Sequence, residues 1–454
     1  MKVFGSSGAR GVANRDLTPA FVTRVAKAAG SFWDAERAAV ARDTRATGSM
    51  LASAAGAGLA AVGADVERLG VVPTPGVQAR CEREGVPALV VTASHNPPEY
   101  NGVKLVGPDG VELRRSDLER IEERLLADDY EPVAWDRTGQ VREAEGARER
   151  YLDGLLAAVD RDRIADAALT VAVDPGHGAG AHTSPGFLRE LGCEVVTVHA
   201  TPDGRFPGRY PEPVPDHLGD LCDLVKAADA DVGIAHDGDA DRAIFVDERG
   251  RYVEGDATLA ALSAAELEAG DTAVSAVNVS QRLVDVCQDV GADLELTPIG
   301  STNIISRVRE LAASGTSVPV AGEGNGGIFF PDYRLARDGA YTAARFLQLL
   351  VDRRVSEVVA PYGGYRNVRV NIDYDTDPER DAMLSAAREH AHGADADLNT
   401  TDGYRLDYGD AWVLARPSGT EPVVRIYAEA RSERRAEDLA SRMAAALRDA
   451  KADA

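Results

Sequence analysis

The chain has 454 residues, 44% of them hydrophobic, and carries a formal charge of −24 from 50 basic and 74 acidic side chains. That length and apolar content build several cored domains and exclude bulk disorder. A surface this acidic repels nucleic acid and anionic membranes, and no apolar run reaches membrane-spanning length, so a soluble, cytoplasmic protein with neither as partner is expected.

Five of the 50 basic residues are lysine (Lys2, Lys27, Lys104, Lys226, Lys451), and the other 45 are arginine. Excess carboxylate with little lysine fits a protein kept hydrated in concentrated salt, a hypothesis about habitat. The first residues lack the apolar core of a signal peptide. Cys81, Cys193, Cys222 and Cys287 are scattered, with no Cys-x-x-Cys, and are expected to be free, buried thiols.

Residues 1–15 open with Phe4-Gly5-Ser6-Ser7-Gly8-Ala9-Arg10-Gly11, a loop whose free N–H groups and arginine suit an anion. Thr18-Pro19 caps a helix with Val22, Val25, Ala26 and Ala29 on its buried face. A strand at 38–41 ends in Arg42-Asp43-Thr44-Arg45. A helix over 47–62, a strand over 66–72 and a helix near 76–84 follow. The strand Leu89-Val90-Val91 then feeds Thr92-Ala93-Ser94-His95-Asn96-Pro97-Pro98. A polar loop leaving a central strand is where α/β proteins place ligands. A helix over 116–127 and a charged linker over 128–146 end this part. Strand–helix alternation resumes over 148–248 and again over 249–361, which predicts mainly parallel sheets flanked by helices. Asp174-Pro175-Gly176-His177-Gly178-Ala179-Gly180-Ala181 fits the spacing of a dinucleotide fingerprint, although a glycine-rich strand-to-helix turn accounts for it better. The short strand Val318-Pro319-Val320-Ala321 delivers Gly322-Glu323-Gly324-Asn325-Gly326-Gly327, and Asp338 starts a helix to about 354. Beyond 361, alternating Val368, Val370 and Ile372, helices over 377–391 and 433–449, and strands over 411–415 and 423–429 predict a small α+β domain. The expected domains are 1–147, 148–248, 249–361 and 362–454.

Three of these loops carry further chemistry. Asp237, Asp239 and Asp241 alternate in His236-Asp237-Gly238-Asp239-Ala240-Asp241-Arg242, and carboxylates so close need a cation. Hard oxygen ligands suit Mg²⁺. An EF-hand is excluded because Arg242 stands where that motif needs glycine and the flanks read as strands. Arg416-Pro417-Ser418-Gly419-Thr420-Glu421 offers N–H groups, hydroxyls and guanidinium to a phosphate, with Arg425 nearby. Glu323 and Asn325, on a glycine-dense loop, could hydrogen-bond sugar hydroxyls, and a permissive turn is the alternative.

Taken in order and spacing, TASHNPP, DGDADR, GEGNGG and RPSGTEP resemble the α-D-phosphohexomutase superfamily, which includes phosphoglucomutase, phosphomannomutase and phosphoglucosamine mutase. The resemblance covers essentially the whole chain. It implies four domains around a central cleft, three similar α/β domains and a smaller C-terminal α+β domain. Ser94 would carry the phosphoryl group, and Asp237, Asp239 and Asp241 would hold Mg²⁺ with a phosphoserine oxygen. Glu323 and Asn325 would face the sugar. Arg416, Ser418, Gly419 and Thr420 would bind the phosphate not in transfer. Arg10, His95, Lys104 and Arg242 match positions around the reacting groups, with His95 and Lys104 as alternative general bases. The reaction implied is interconversion of hexose 6-phosphate and 1-phosphate through a sugar bisphosphate, which also acts as activator.

The sugar loop has Asn325 and Gly327 where bacterial members often carry serine and histidine, and looks more like archaeal members. The stretch Val274-Ser275-Ala276-Val277-Asn278-Val279 lacks a lysine found in some glucose- and mannose-type members. The expectation is therefore a phosphoglucosamine mutase. Phosphoglucomutase, phosphomannomutase or phosphopentomutase activity is the alternative, and a dinucleotide oxidoreductase or a non-catalytic sugar-phosphate-binding protein the remote ones.

Overall fold

The computed structural model describes residues 3–5, 8–418 and 421–454. In the first sheet, β1 (Ala9–Val12) leads to α1 (Pro19–Trp33). Thr18 Oγ1 caps α1 by accepting from Phe21 N, which contributes about 1 kcal/mol. After β2 (Arg37–Arg42), α2 (Gly48–Ala61) lies so close to α1 that a Cβ on Gly58 would sit 2.6 Å from Thr23 O. This close approach explains the run of small residues in α2. Then come β3 (Asp65–Val71), α3 (Thr74–Glu84), β4 (Ala88–Val91), β5 (Tyr100–Val106), α4 (Arg115–Ala127) and β6 (Val141–Glu143). The order is β1-β5-β4-β2-β3-β6, with β4, β2, β3 and β6 parallel. Separate apolar clusters cover the two faces, one around Val22, Leu51, Leu59 and Ile121, the other around Val77, Cys81 and Val90. The stretch 128–146, expected as a linker, contributes β6.

A second sheet follows α5 (Ala147–Ala157) and α6 (Arg161–Asp166). It contains β7 (Thr170–Asp174), β8 (Glu194–Thr197), β9 (Val232–Ala235), β10 (Ile244–Val246) and β11 (Tyr252–Val253), with α7 (Ser184–Glu190) and α8 (Gly219–Ala227) between strands. Its order is β11-β10-β9-β7-β8, parallel from β9 through β8. Beyond α9 (Gly255–Glu266), β12 (Thr272–Ala276) pairs in parallel with β13 (Asp293–Thr297) and β14 (Ala321–Glu323), connected by α10 (Gln281–Val290) and α11 (Ser301–Ala313). The strand expected at 318–321 begins at Ala321, since Pro319 lacks the N–H a ladder needs. Strands β15 (Gly327–Phe330) and β16 (Arg334–Arg337) form an antiparallel pair. The helix expected from Asp338 to about 354 ends at Gln348 as α12 (Gly339–Gln348), and a separate short helix, α13 (Val355–Val359), follows.

The last sheet is antiparallel, with β17 (Arg366–Asp373), β18 (Asp397–Asn399), β19 (Tyr404–Asp407), β20 (Ala411–Pro417) and β21 (Val423–Ala430) in the order β17-β21-β20-β19-β18. Helices α14 (Asp377–His392) and α15 (Glu433–Ala452) pack on one face over Met383, Ile426, Leu439 and Met443. The chain forms two compact units, residues 1–258 with 325–360, and residues 259–324 with 361–454. No described helix is long and apolar enough to cross a membrane. All four cysteines are free, and Cys222 is half-buried rather than buried.

Candidate active site

In the first unit, the loops leaving β2, β4, β7 and β9 at their carboxyl ends converge. Register sets this up: Arg42 pairs with Val91, and Asp174 with Ala235. Ser94 is 1% exposed and takes a left-handed conformation with φ +50°. Its N–H donates to Thr92 Oγ1 at 2.9 Å, and Thr92 Oγ1 donates to Asp43 Oδ2 at 2.7 Å. Its Oγ donates to Asp237 Oδ2 at 2.5 Å. Gly238 has no room for a side chain, since a Cβ there would lie 2.6 Å from Ser94 O. On its far side a Cβ on Gly178 would lie 2.6 Å from Gly238 O, and Ala179 N donates to that oxygen at 2.9 Å. Gly178, within residues 174–181, is thus accounted for as backbone support beneath the aspartate loop.

Asp237, Asp239 and Asp241 are all buried, and their ligand atoms lie within 4.8 Å of one another. Lys104 Nζ donates to Asp239 Oδ2 at 3.0 Å and to Asp241 Oδ2 at 2.9 Å, while Thr74 Oγ1 donates to Asp239 Oδ2 at 2.6 Å. Arg337 Nη2 donates to Asp241 Oδ2 at 2.6 Å, and Glu112 Oε1 lies 3.8 Å from Lys104 Nζ and 3.7 Å from Arg337 Nη2. These groups occupy the Oδ2 atoms. Asp239 Oδ1 and Asp241 Oδ1, both buried, have no hydrogen-bond partner among the described residues. Carboxylate oxygens without a hydrogen bond, with Arg242 Nε 3.9 Å from Asp241 Oδ1, fit a hard divalent cation beside Asp237.

The electrostatics separate the two candidate bases. Burial alone would lower the Lys104 pKa, but Asp239, Asp241 and Glu112 outweigh it and raise it, so the ammonium stays charged. Burial, then Arg242 and Arg10, push His95 far down, so its imidazole is neutral. Arg242 Nη2 lies 3.0 Å from His95 Nδ1, and guanidinium can only donate, which places the imidazole proton on Nε2. His95 Nδ1 is also 3.2 Å from Ser94 Oγ. Arg10 Nη1 donates to Asn96 Oδ1 at 2.7 Å. Burial and the neighbouring Asp241 and Asp239 raise the Asp237 pKa, opposite to Asp239 and Asp241, where Lys104 and Arg337 outweigh burial.

The remaining predicted residues lie elsewhere. Glu323, half-buried, ends β14 in the second unit. Asn325, exposed, belongs to the first, where its Oδ1 accepts from Gly327 N at 3.0 Å. Arg416 and Arg425 stand directly opposite each other on β20 and β21. Like charges so placed repel unless anions intervene. Asp402 Oδ2 sits 3.0 Å from Arg416 Nε, and Arg425 Nη2 donates to Glu421 Oε2 at 2.5 Å. Ser418 Oγ accepts from Glu421 N at 3.3 Å. Gly419 and Thr420, like Ser6 and Ser7 of the opening loop, lie outside the described residues. Sequence reasoning missed Asp43, Arg45, Thr74, Glu112 and Arg337. The Arg42–Arg45 run at a strand end was a signal for the first pair. The others carry no local motif.

A buried hydroxyl against a hard-cation site, ringed by guanidinium, is the equipment of metal-assisted phosphoryl transfer. Four models of the phosphoglucomutase/phosphomannomutase family match in order: α/β/α domain I over residues 1–131, domain II over 149–250, domain III over 254–363 and the C-terminal domain over 367–446. The chain is 39% identical over 447 residues to a phosphoglucomutase/phosphomannomutase from Thermococcus kodakarensis, covering 96% of each. It is 39% identical over 445 residues to a Methanopyrus kandleri protein named "Probable phosphoglucosamine mutase", again covering 96% of each. A crystal structure of a family protein from Burkholderia thailandensis superposes with a TM-score of 0.86 at 28% identity, covering 99% of this chain and 97% of that one. The chain belongs to the phosphoglucomutase/phosphomannomutase family, and with it to the phosphohexomutases, which are intramolecular phosphotransferases. Its three α/β domains and C-terminal antiparallel domain are the family's.

Proposed function

We propose that the protein interconverts glucosamine 6-phosphate and glucosamine 1-phosphate, with Ser94 as phosphoryl carrier and a sugar bisphosphate as intermediate and activator. The 2.5 Å contact between Ser94 Oγ and Asp237 Oδ2, beside two aspartate oxygens without a hydrogen bond, carries this reading. In the forward half-reaction a sugar hydroxyl oxygen attacks the phosphorus of phosphoserine, the bond to Oγ breaks, and the hydroxyl proton finishes on Oγ. His95, neutral and 3.2 Å from Oγ, is the group we assign to carry that proton. Lys104 stays charged and holds Asp239 and Asp241 in place. Arg10 and Arg242 offset the phosphoryl charge, Glu323 and Asn325 read sugar hydroxyls, and Arg416, Ser418, Gly419, Thr420 and Arg425 clamp the other phosphate. The return half-reaction is the same chemistry with the bisphosphate reversed. Asp237, Asp239 and Asp241 would hold Mg²⁺, which supplies charge neutralisation at the transferring phosphoryl group. The domain boundaries 1–147, 148–248, 249–361 and 362–454 are part of the same proposal, as is a cytoplasmic location.

The choice of glucosamine rests on the name of the Methanopyrus relative and on the absence of lysine from 274–279. The Thermococcus relative, equally identical, supports glucose or mannose phosphate as the second reading. Relative kcat/KM for glucosamine, glucose, mannose and pentose phosphates, with a trace of bisphosphate, tests the choice. A clear preference for glucose or mannose overturns it, and no turnover of any of them removes the mutase reading itself.

A further inference from the structure

We infer that Arg45 is a positioning residue for phosphoryl transfer. Its guanidinium holds the loop that presents Ser94 and seats that loop on the second sheet's loops, so that Ser94 Oγ meets Asp237. The inference rests on Ser94 being the phosphoryl carrier.

Arg45 is 1% exposed. Its five N–H groups meet five acceptors. Nε pairs with Asp43 Oδ2 at 3.1 Å, Nη1 donates to Pro97 O at 2.6 Å and Tyr100 O at 2.9 Å, and Nη2 donates to Ser94 O at 2.9 Å and Asn96 O at 2.6 Å. Four carbonyls turned inward would be costly without a donor, and Pro97 and Pro98 bring no N–H to the loop. A planar fork of five donors answers this, and a lysine's three donors at one point do not. Both backbone groups of Ser94 lead to the same ion pair. Its carbonyl is held by Arg45, and its N–H is held by Thr92 Oγ1, which is itself bonded to Asp43. A serine at φ +50° needs such enforcement.

The other side of Arg45 faces the loop between β8 and α8. Its guanidinium carbon lies 5.2 Å from the centre of the buried Phe206 ring. Residue 45 bridges to Gly204, where a Cβ would lie 2.2 Å from Thr44 O. Ser94 and Asp237 come from different sheets, and Arg45 holds the first loop and packs on the one whose Arg209 Nη2 donates to His236 O at 2.7 Å, next to Asp237, while touching neither reacting atom.

The test uses the full chain, as wild type, Arg45→Lys, Arg45→Gln, Phe206→Leu and Ser94→Ala. Phosphorylation of Ser94 by glucose 1,6-bisphosphate is followed by intact mass in quenched time courses, beside kcat, KM and thermal melts. In both Arg45 variants the phosphorylation rate constant and kcat should fall together by about 10²-fold per folded molecule, since a misplacement of this order costs that much, with KM for sugar phosphate unchanged. Wild-type rates in the folded fraction, or full rescue by lysine, overturn the inference. Where neither Arg45 variant yields folded protein, Phe206→Leu decides. A several-fold fall in the same two rate constants at constant KM sustains it, and wild-type rates overturn it. Normal turnover by Ser94→Ala instead means that the carrier assignment itself is wrong.

Discussion

Ser94 Oγ and Asp237 Oδ2 lie 2.5 Å apart although one follows β4 of the first sheet and the other follows β9 of the second. The pair sets the serine hydroxyl against the aspartate triplet, so their alignment is built into the fold. Ser94→Ala removes that hydroxyl and should cost more than about 10³-fold in kcat. Loss of the phosphorylated species from the intact mass spectrum accompanies it, and a spectrum still showing phosphate places the carrier elsewhere.

Gly238 is tied to the same contact. Its φ is ordinary, so the demand for glycine is spatial: the neighbour 2.6 Å away is the backbone oxygen of Ser94, which cannot swing aside. Gly238→Ala should therefore move the serine loop against the aspartate loop and lower kcat by about 10²-fold. Steady-state kinetics on the folded variant check this, and unchanged kcat would show that the loops have slack.

Much of this site is legible in the sequence because its parts fall in short runs. Ser94 and His95 are adjacent, and the three aspartates alternate, so local chemistry announces them. Lys104 looks like a surface lysine on a hairpin until β5 buries it against Asp239 and Asp241. Arg337 and Thr74 reach the triplet from β16 and the start of α3, while Glu112, in the turn after β5, reaches the cations Lys104 and Arg337, and only tertiary packing joins them. Strand β5 itself escaped the pattern reading because Asn101, Gly102 and Lys104 break its apolar run, although all three are buried. Helix α1 is readable because its Thr18 cap and the apolar spacing of Val22, Val25, Ala26 and Ala29 agree.

Lys104 gives a prediction about stability. Its ammonium is enclosed with Asp239, Asp241 and Glu112. Lys104→Met leaves buried carboxylates without that cation and should cost about 3–5 kcal/mol in the metal-free protein. Urea denaturation measures this. Saturating divalent cation should recover part of the loss by restoring positive charge at the triplet. A variant as stable as wild type would return Lys104 to the role of base.

The net charge of −24 has a separate consequence. Repulsion among surface carboxylates is screened by salt. If the composition is an adaptation to concentrated salt, melting temperature and kcat should both rise with KCl into the molar range. A maximum of both in dilute buffer excludes it.

His199 supplies the pH dependence. Its Nδ1 lies 3.2 Å from Asp174 Oδ2 and its Nε2 3.1 Å from Asp220 Oδ2, an arrangement that favours the imidazolium, which can donate from both nitrogens. The hydrogen bond to Asp174 raises its pKa against the opposing effect of burial. Arg209, on the same carboxylate, also opposes the charge, and the His177 ring lies tilted by 45° with its centre 5.1 Å away. A histidine whose folded pKa is raised contributes stability that is complete below the unfolded value of about 6.5 and is lost as pH rises through the folded value. Asp174 behaves oppositely: although burial would raise it, Arg209 and His199 lower it, so its contribution disappears as pH falls through its folded value. The pair is thus fully stabilising from about pH 4 to about pH 6.5. The gap in melting temperature between wild type and His199→Gln should be widest there and should close on the alkaline side. Asp220 is largely exposed, so salt should narrow the gap in part, leaving the buried Asp174 bond. Melts across pH at two salt concentrations measure both effects, and a gap that does not change with pH would mean that His199 is neutral in the fold.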